Sequence, residues 1–463
     1  MIKDEVIEPE VIEDLAPLLA LPRFGTAAPL GGPRGDVTVG LERVRRLARD
    51  AVAGAWLAGL DAIRVTGSNG KGSVAVMVER ILAAAGIDAG LYTSPHLFDF
   101  RERIVHGGEP VATAVLRASA GVVVAALRRH AAERPDEEVG AFEATTALAL
   151  DSFHRLRPET VVAEVGLGGR YDPVRLFRGR WNVLVSLDLE HTAVLGTTLE
   201  EIADDKARLA EPGSVLFVGA VPSEILHRLR QDGGRRGVEV VAVSEVCSLE
   251  RTSYEDGRLR VDLTYEGERW DGVPVALLGE HQARNAALAV AVAGRWLGRH
   301  RPGLGRTRLR DAVRRGLAAV RWPCRLERLG EDPPLYVDAG HTPAALRALA
   351  DSVRRLLAGE PVVLVAGVSD DKDAAALLAP LLPLAERVIA TRARRRGGAA
   401  SRVAAAVRAR APGLRVDVED DLERALAMGR DAARDAGRAV LVAGGLFLAA
   451  EAARICRARD EQD

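Results

Sequence analysis

The chain has 463 residues, 48% hydrophobic and 28% charged, with 64 basic against 65 acidic side chains and a formal net charge of -1. That length is about three times the soft prior for one domain, so two or three domains are expected, and the composition excludes a mostly disordered chain. Near-zero net charge gives no global field for nucleic acid or an anionic membrane, so an anionic ligand must be held by a local site.

Segment 1–20 is acidic and lacks a basic-then-apolar leader, so no signal peptide is expected. Apolar runs such as 439–450 fall short of the ~18 residues a membrane helix needs, and the expected location is the cytoplasm. Three scattered cysteines, Cys247, Cys324 and Cys456, argue against a disulfide framework. Four lysines, Lys3, Lys71, Lys206 and Lys372, stand against sixty arginines. Lysine is a compact ammonium that grips a phosphate as a point charge or reacts when neutral, so each lysine inside a motif calls for a chemical reason.

In chain order, β-branched runs alternate with Ala/Leu/Arg-rich stretches, the pattern of an α/β protein with mainly parallel sheets. Strands are expected at 62–66, 160–164, 183–188 and 215–218, with helices at 73–85, 142–156, 198–210 and 283–298. Segment 249–275 alternates instead around Asp256-Gly257 and reads as an antiparallel insert on the first domain. Pro/Gly/Arg-rich 300–306 and Trp322-Pro323 mark a junction, dividing the chain into 1–318 and 319–463. Beyond it, strands at 335–338, 362–366, 387–391 and 439–443 make a smaller Rossmann-like α/β domain. The run 392–396 reads as a solvated loop, with a phosphate contact as the alternative.

Residues 63–73, IRVTGSNGKGS, place a glycine-rich turn and a lysine between an apolar strand and a helix. Backbone N–H groups there can close around phosphate oxygens, the helix N-terminus adds positive potential, and Lys71 supplies a point charge. The strict phosphate-loop pattern is not met, because Val65 replaces its first glycine and the hydroxyl comes one residue late, at Ser73. Gly67, Ser68, Asn69, Gly70, Lys71, Gly72 and Ser73 are the expected phosphate contacts.

TGSNGKGS, LYTSPHL (91–97), RERI (101–104) and GLERV (40–44) together resemble the folylpolyglutamate synthase/dihydrofolate synthase family, a branch of the Mur-type ATP-dependent amide ligases. FEATT (142–146), EVGLGGRYD (164–172), LDLEHTAVLGTTLEEIADDKA (187–207) and HQARNAA (281–287) continue the likeness. RWPCRLE (321–327), DAGHTP (338–343), DDKD (370–373) and AGGLF (443–447) extend it through the second domain. The resemblance implies an N-terminal P-loop ATPase domain and a C-terminal ligase domain. It also implies that glutamate is joined to a pteroate- or folate-like carboxylate through an acyl phosphate made from ATP.

Lys71, His191 and Lys206 would be the catalytic residues, and Ser73 would lie next to the β-phosphate. Two Mg2+ sites are implied, with Ser94 and Glu164 on the first and His191 and a carbamylated Lys206 on the second. Asn285, Arg325, Asp338 and His341 would contact the nucleotide, and Lys372 would stand near the incoming amino acid. Small molecules are the only expected partners, with no nucleic acid or membrane and a monomeric chain. A nucleotide-binding protein without ligase activity, or a plain phosphotransferase, is the alternative from another class.

Three positions depart from the family pattern. YDPVR (171–175) replaces L-D-A-T-N, Thr342 replaces an asparagine, and Gly445 replaces a serine. The expected ATP and magnesium residues are untouched, which directs any drift to the acceptor or amino-acid pocket.

Overall fold

In the computed structural model, which describes residues 9–22, 38–49 and 54–460, two sheets rich in parallel strands carry most of the core. Lys3 and part of the acidic N-terminal segment lie outside the described residues. The chain divides into two compact units: Met1–Arg251, Val261–Val273 and Arg284–Val320 in the first, Thr252–Arg260, Pro274–Ala283 and Arg321–Asp463 in the second.

The first unit holds an eight-stranded sheet of order β4-β3-β2-β5-β1-β6-β7-β8. Its central strands are β1 (Ile63–Thr66), β5 (Thr160–Glu164) and β6 (Trp181–Ser186), flanked by β2 (Ala89–Tyr92), β7 (Val215–Ala220) and β8 (Glu239–Ala242). These six run parallel, while β3 (Ile104–His106) and β4 (Glu109–Pro110) close one edge antiparallel. Strands β1 and β5 are buried along their whole length, as the continuous apolar runs require of a sheet covered on both faces. Arg64 is the exception in β1: fully buried, it reaches Asn182 Oδ1 at 3.0 Å and the Gly179 carbonyl at 2.7 Å.

The expected strand 160–164 is found at its full length, but the one expected at 183–188 is Trp181–Ser186. Asp188 leaves the sheet because its backbone turns to Ser68: Asp188 N donates to the Ser68 hydroxyl at 3.0 Å, and that hydroxyl lies 3.3 Å from Asp188 O. Helix Leu199–Ala207 starts where expected, with Thr198 and Glu201 forming a capping box, and ends three residues early, before Pro212-Gly213.

Segment 249–275 forms β9 (Cys247–Glu255), β10 (Arg258–Tyr265) and β11 (Glu268–Val275), a sheet of order β11-β10-β9. Asp256-Gly257 is a turn with both residues at positive φ, the conformation that matches the twist of a hairpin. Read from sequence as an insert on the first domain, it has its residues divided between the two units.

In the second unit, β12 (Glu327–Glu331), β13 (Pro334–Val337), β14 (Val362–Ala366), β15 (Ala385–Ala390), β16 (Arg415–Val418) and β17 (Ala439–Ala443) form a sheet of order β12-β13-β17-β14-β15-β16. Only β12 pairs antiparallel, so the expected α/β class holds for both sheets. Among the described residues no helix is long and apolar enough to cross a membrane.

Candidate active site

The carboxyl ends of parallel strands are where an open α/β sheet takes its ligand. At that edge of the first sheet, β1 delivers the loop 67–70 and helix Lys71–Ala84, while Glu164 is the last residue of β5 and lies in register with Val65. Gly70 caps the helix at φ 82°, and a Cβ there would stand 3.0 Å from Asn285 Oδ1. The left-handed backbone favours glycine here, and any side chain would also press on the Asn285 amide.

Segment 186–190 is stitched to this loop. Ser68 N donates to Ser186 O at 2.9 Å, and the Ser186 hydroxyl bonds both Asn69 N (3.0 Å) and Asn69 O (2.9 Å). The glycine-rich loop is thus held in shape by the backbone and hydroxyl of Ser186, the last residue of β6.

Two of the four lysines meet here. Lys71 Nζ lies 3.1 Å and Lys206 Nζ 3.2 Å from the same acceptor, the Gly67 carbonyl. Lys206 is 1% exposed, so it makes no ordinary surface ion pair with its neighbours Asp204 and Asp205. Asp204 pairs instead with Arg228, and Asp205 accepts the Gly169 amide at 2.9 Å. The partner of Lys206 is Glu190, at 2.9 Å. Burial, reinforced by Lys71, pushes the Lys206 pKa below the usual lysine value despite Glu190. For Glu190 burial acts upward, but Lys206 and Lys71 outweigh it and hold the carboxyl below its ordinary pKa.

Around Glu164, buried carboxylates shape the chain. Glu164 Oε2 accepts the Ser94 amide at 3.1 Å, bringing together the two residues expected at the first metal. Asp172, 4% exposed, accepts amides of Gly166, Leu167 and Val174 at 3.0, 3.0 and 2.9 Å. Burial raises its pKa to about 6 against those amides and Lys71. Gly169 packs so closely that a Cβ would stand 2.5 Å from Lys206 O, so its missing side chain admits the lysine-bearing helix.

The remaining sequence candidates are placed as follows. Ser73 is buried in the first turn of helix Lys71–Ala84. His191 is exposed and left-handed, φ 46°, a strained setting for a side chain with a Cβ. Among the described residues no group of three or more His, Cys, Asp or Glu is placed to hold a metal ion. Of the expected ligands, Glu164 supplies a hard carboxylate oxygen of the kind magnesium takes, while Lys206 as an ammonium would repel the ion.

In the second unit, Asp338 directly follows β13 and accepts the Gly340 and Leu326 amides at 2.7 and 2.9 Å. Burial raises its pKa, opposed by Arg325 and those two amides. Arg325 donates to Cys324 O at 3.2 Å, and His341 is exposed with Nδ1 3.3 Å from Ala339 O. Thr342 caps helix Pro343–Leu356 through Ala345 N at 3.1 Å. Lys372 is exposed; of the acids beside it, Asp373 caps helix Ala374–Leu378 and Asp370 pairs with Arg402. Arg395 and Arg396 of the arginine run lie over the Phe447 ring.

Sequence reasoning missed Glu190, although it adjoins His191, which was singled out, and a buried lysine demands a counter-ion.

The chain matches the Mur ligase middle domain over residues 65–293 and the Mur ligase glutamate ligase domain over 324–446. It is 36% identical over 400 residues to a Halobacterium salinarum protein named probable bifunctional folylpolyglutamate synthase/dihydropteroate synthase, covering 85% of this chain and 47% of that one. The chain thus spans about half the length of that archaeal relative. A folylpolyglutamate synthase of Lacticaseibacillus casei is 32% identical over 68% of this chain and 72% of its own. The structure of Mycobacterium tuberculosis folylpolyglutamate synthase complexed with ADP superposes with TM-score 0.83 at 28% identity, over 96% of this chain and 98% of that one. The chain belongs to the folylpolyglutamate synthase family of Mur-type ligases.

Proposed function

We propose that the chain is an ATP-dependent ligase joining the amine of glutamate to a pteroate- or folate-like carboxylate, with ADP and phosphate as products. The observation that carries this is the meeting of Lys71 and Lys206 on one loop carbonyl, Gly67 O, at the sheet edge that also bears Glu164. A carboxylate must become a better electrophile before an amine can displace one of its oxygens. Attack of the acid's oxygen on the γ-phosphorus expels ADP and gives an acyl phosphate; attack of the amine then expels phosphate and forms the amide.

The loop amides and Lys71 would hold phosphate oxygens and offset their charge. Glu164, Ser94 and His191 are the proposed holders of a magnesium ion, which when bound would draw off negative charge. At Lys206, burial and Lys71 act toward the neutral amine that carbamylation requires, while the Glu190 carboxylate acts toward the ammonium. As a carbamate it would offer the cation an oxygen in place of an ammonium. For the second unit, Arg325, Asp338 and His341 are carried as nucleotide contacts by the family likeness alone. The proposed chain organisation keeps residues 1–318 and 319–463 as its domains, working as a monomer in the cytoplasm.

A second reading, the same chemistry on another acid or amine, is favoured by two of the departures. Pro173 opens the short helix Pro173–Leu176 beneath the Asp172 cap, and Thr342 spends its hydroxyl on a helix cap rather than on a ligand. The test is an acceptor labelled with 18O in its carboxylate. Transfer of one 18O into the released phosphate, with an amide of the expected mass, supports the ligase; product without label in phosphate would refute the acyl phosphate.

A further inference from the structure

Several arginines of the second unit have carboxylate partners: Arg387 pairs with Asp417, Arg402 with Asp370 and Arg438 with Glu360. The loop after β15 is different. Arg394 and Arg396 are exposed, and neither guanidinium has a carboxylate partner among the described residues. Yet the backbone beneath them is fixed. Glu451, on helix Leu446–Asp460, accepts the Arg394 and Arg395 amides at 2.8 and 3.0 Å. Gly397 pairs antiparallel with Ser369, and Gly398 N donates to Val368 O at 2.9 Å. Between these ties Arg396 takes φ 54°, a left-handed setting that is strained for a residue with a Cβ. Its guanidinium lies 5.9 Å from the centre of the Phe447 ring, and that of Arg395 lies 5.0 Å from it.

A loop that only keeps its charges in water needs neither a pinned backbone nor an aromatic rest. Guanidiniums set in place before a ligand arrives lose less freedom on binding it, and their forks match the oxygens of carboxylates and phosphates. A compact phosphate is met best by converging backbone amides, as at 67–73. Side chains spaced along a loop suit anionic groups spaced along a chain. The ligase reading above, on which the choice of ligand rests, supplies such a chain. Each ligation consumes one carboxylate of the acceptor and brings in the two of the new glutamate. The product therefore carries one carboxylate more than its acceptor and is itself an acid.

We propose that loop 392–396 is a binding site on the second unit for the glutamyl chain of such acceptors and products, with Arg394 and Arg396 bonding its free carboxylates. Glu451 and Phe447 hold the loop and its guanidiniums in place for that contact. Chains bearing more glutamates bind more tightly, and an acid that carries no glutamyl chain does not use the site.

The test is a calorimetric titration of the full chain, without ATP, using γ-linked glutamate peptides of two and five residues and, separately, tripolyphosphate. Wild type is compared with a variant carrying Arg394→Gln and Arg396→Gln, and with one carrying Arg394→Lys and Arg396→Lys. Wild type is expected to bind the longer peptide about tenfold more tightly than the shorter, and added salt should shrink that difference. The glutamine variant should lose about tenfold for the longer peptide and less than about threefold for the shorter. Lysines, which keep the charge without the fork, should recover part of the loss. Tripolyphosphate should bind wild type and both variants alike. Equal affinity of wild type for the two peptides would overturn the proposal. So would a glutamine variant that melts like wild type and binds the longer peptide as well. A tripolyphosphate affinity that falls with the arginines as far as the peptide's does would overturn it in favour of a phosphate contact. Binding is read apart from turnover, so the two readings fail separately. Length-dependent binding in a chain that ligates no acceptor keeps the site and removes the ligase; ligation without length-dependent binding removes the site alone.

Discussion

The carboxyl edges of the two sheets are built on different terms. In the first unit, charged side chains meet one another: Lys206 with Glu190, both lysines with the Gly67 carbonyl, and Glu164 beside the phosphate loop. In the second, polar side chains serve the backbone: Asp338 accepts the Gly340 and Leu326 amides, while Thr342 and Asp373 cap helices. The first edge holds charge ready for a ligand, and the second holds loops in shape. Substitutions at the first edge should accordingly change chemistry more than stability, and at the second the reverse.

The largest expected effect belongs to Lys71→Ala. Its ammonium is the loop's point charge, so ATP-dependent turnover should fall by about a thousandfold or more while the melting temperature holds. Activity close to wild type in a steady-state assay would break the comparison at its strongest point. Next comes Lys206→Arg, which keeps the charge but cannot supply a neutral amine. Turnover should drop about a hundredfold. Full activity with arginine would show that charge alone is needed and would remove the carbamate.

How much of this was legible in the sequence follows the same division. Lys71 and Lys206 stood out because lysines are scarce here and a glycine-rich turn between strand and helix has few uses, whereas Glu164 and Ser94 came from the family resemblance. Strands β5, β14 and β17 could be bounded to the residue because continuous apolar runs need no partner information. Glu190 stayed hidden because one acid among 65 carries no signal until the fold sets it against a buried amine. Asp188 was read as strand because nothing local shows that Ser68, 120 positions away, takes its amide. The hairpin at Asp256-Gly257 was visible in its turn, but how its residues divide between two units depends on contacts remote in sequence.

A smaller effect sharpens the comparison through pH. Asp172 has a folded pKa of about 6 against an ordinary 3.8, so between those values the folded chain binds more protons than the unfolded one. Stability must then fall as pH rises through that window and level off above it. Relative to Asp172→Asn, which cannot titrate there, wild type should lose about 1–3 kcal/mol between pH 4 and 7 in urea unfolding. Parallel curves for the two proteins would place the charge of Asp172 outside the energetics of the loop.

The smallest effect lies in the second unit. Thr342→Ala removes the cap of helix Pro343–Leu356 and should cost about 1 kcal/mol of stability, read from the same unfolding curves. With turnover unchanged, Thr342 is a structural residue; a raised KM for the acceptor or for glutamate, with stability intact, would move it into a substrate pocket.

The measurement that reaches the central claim most directly is phosphate release from magnesium-ATP with glutamate present, comparing dihydropteroate, tetrahydrofolate and no acceptor. Release that requires glutamate together with one of the two acceptors is the predicted result, and it also says which step is catalysed. Release that proceeds equally well without acceptor or amine would contradict the ligase and leave a phosphate-transferring or nucleotide-hydrolysing protein in its place.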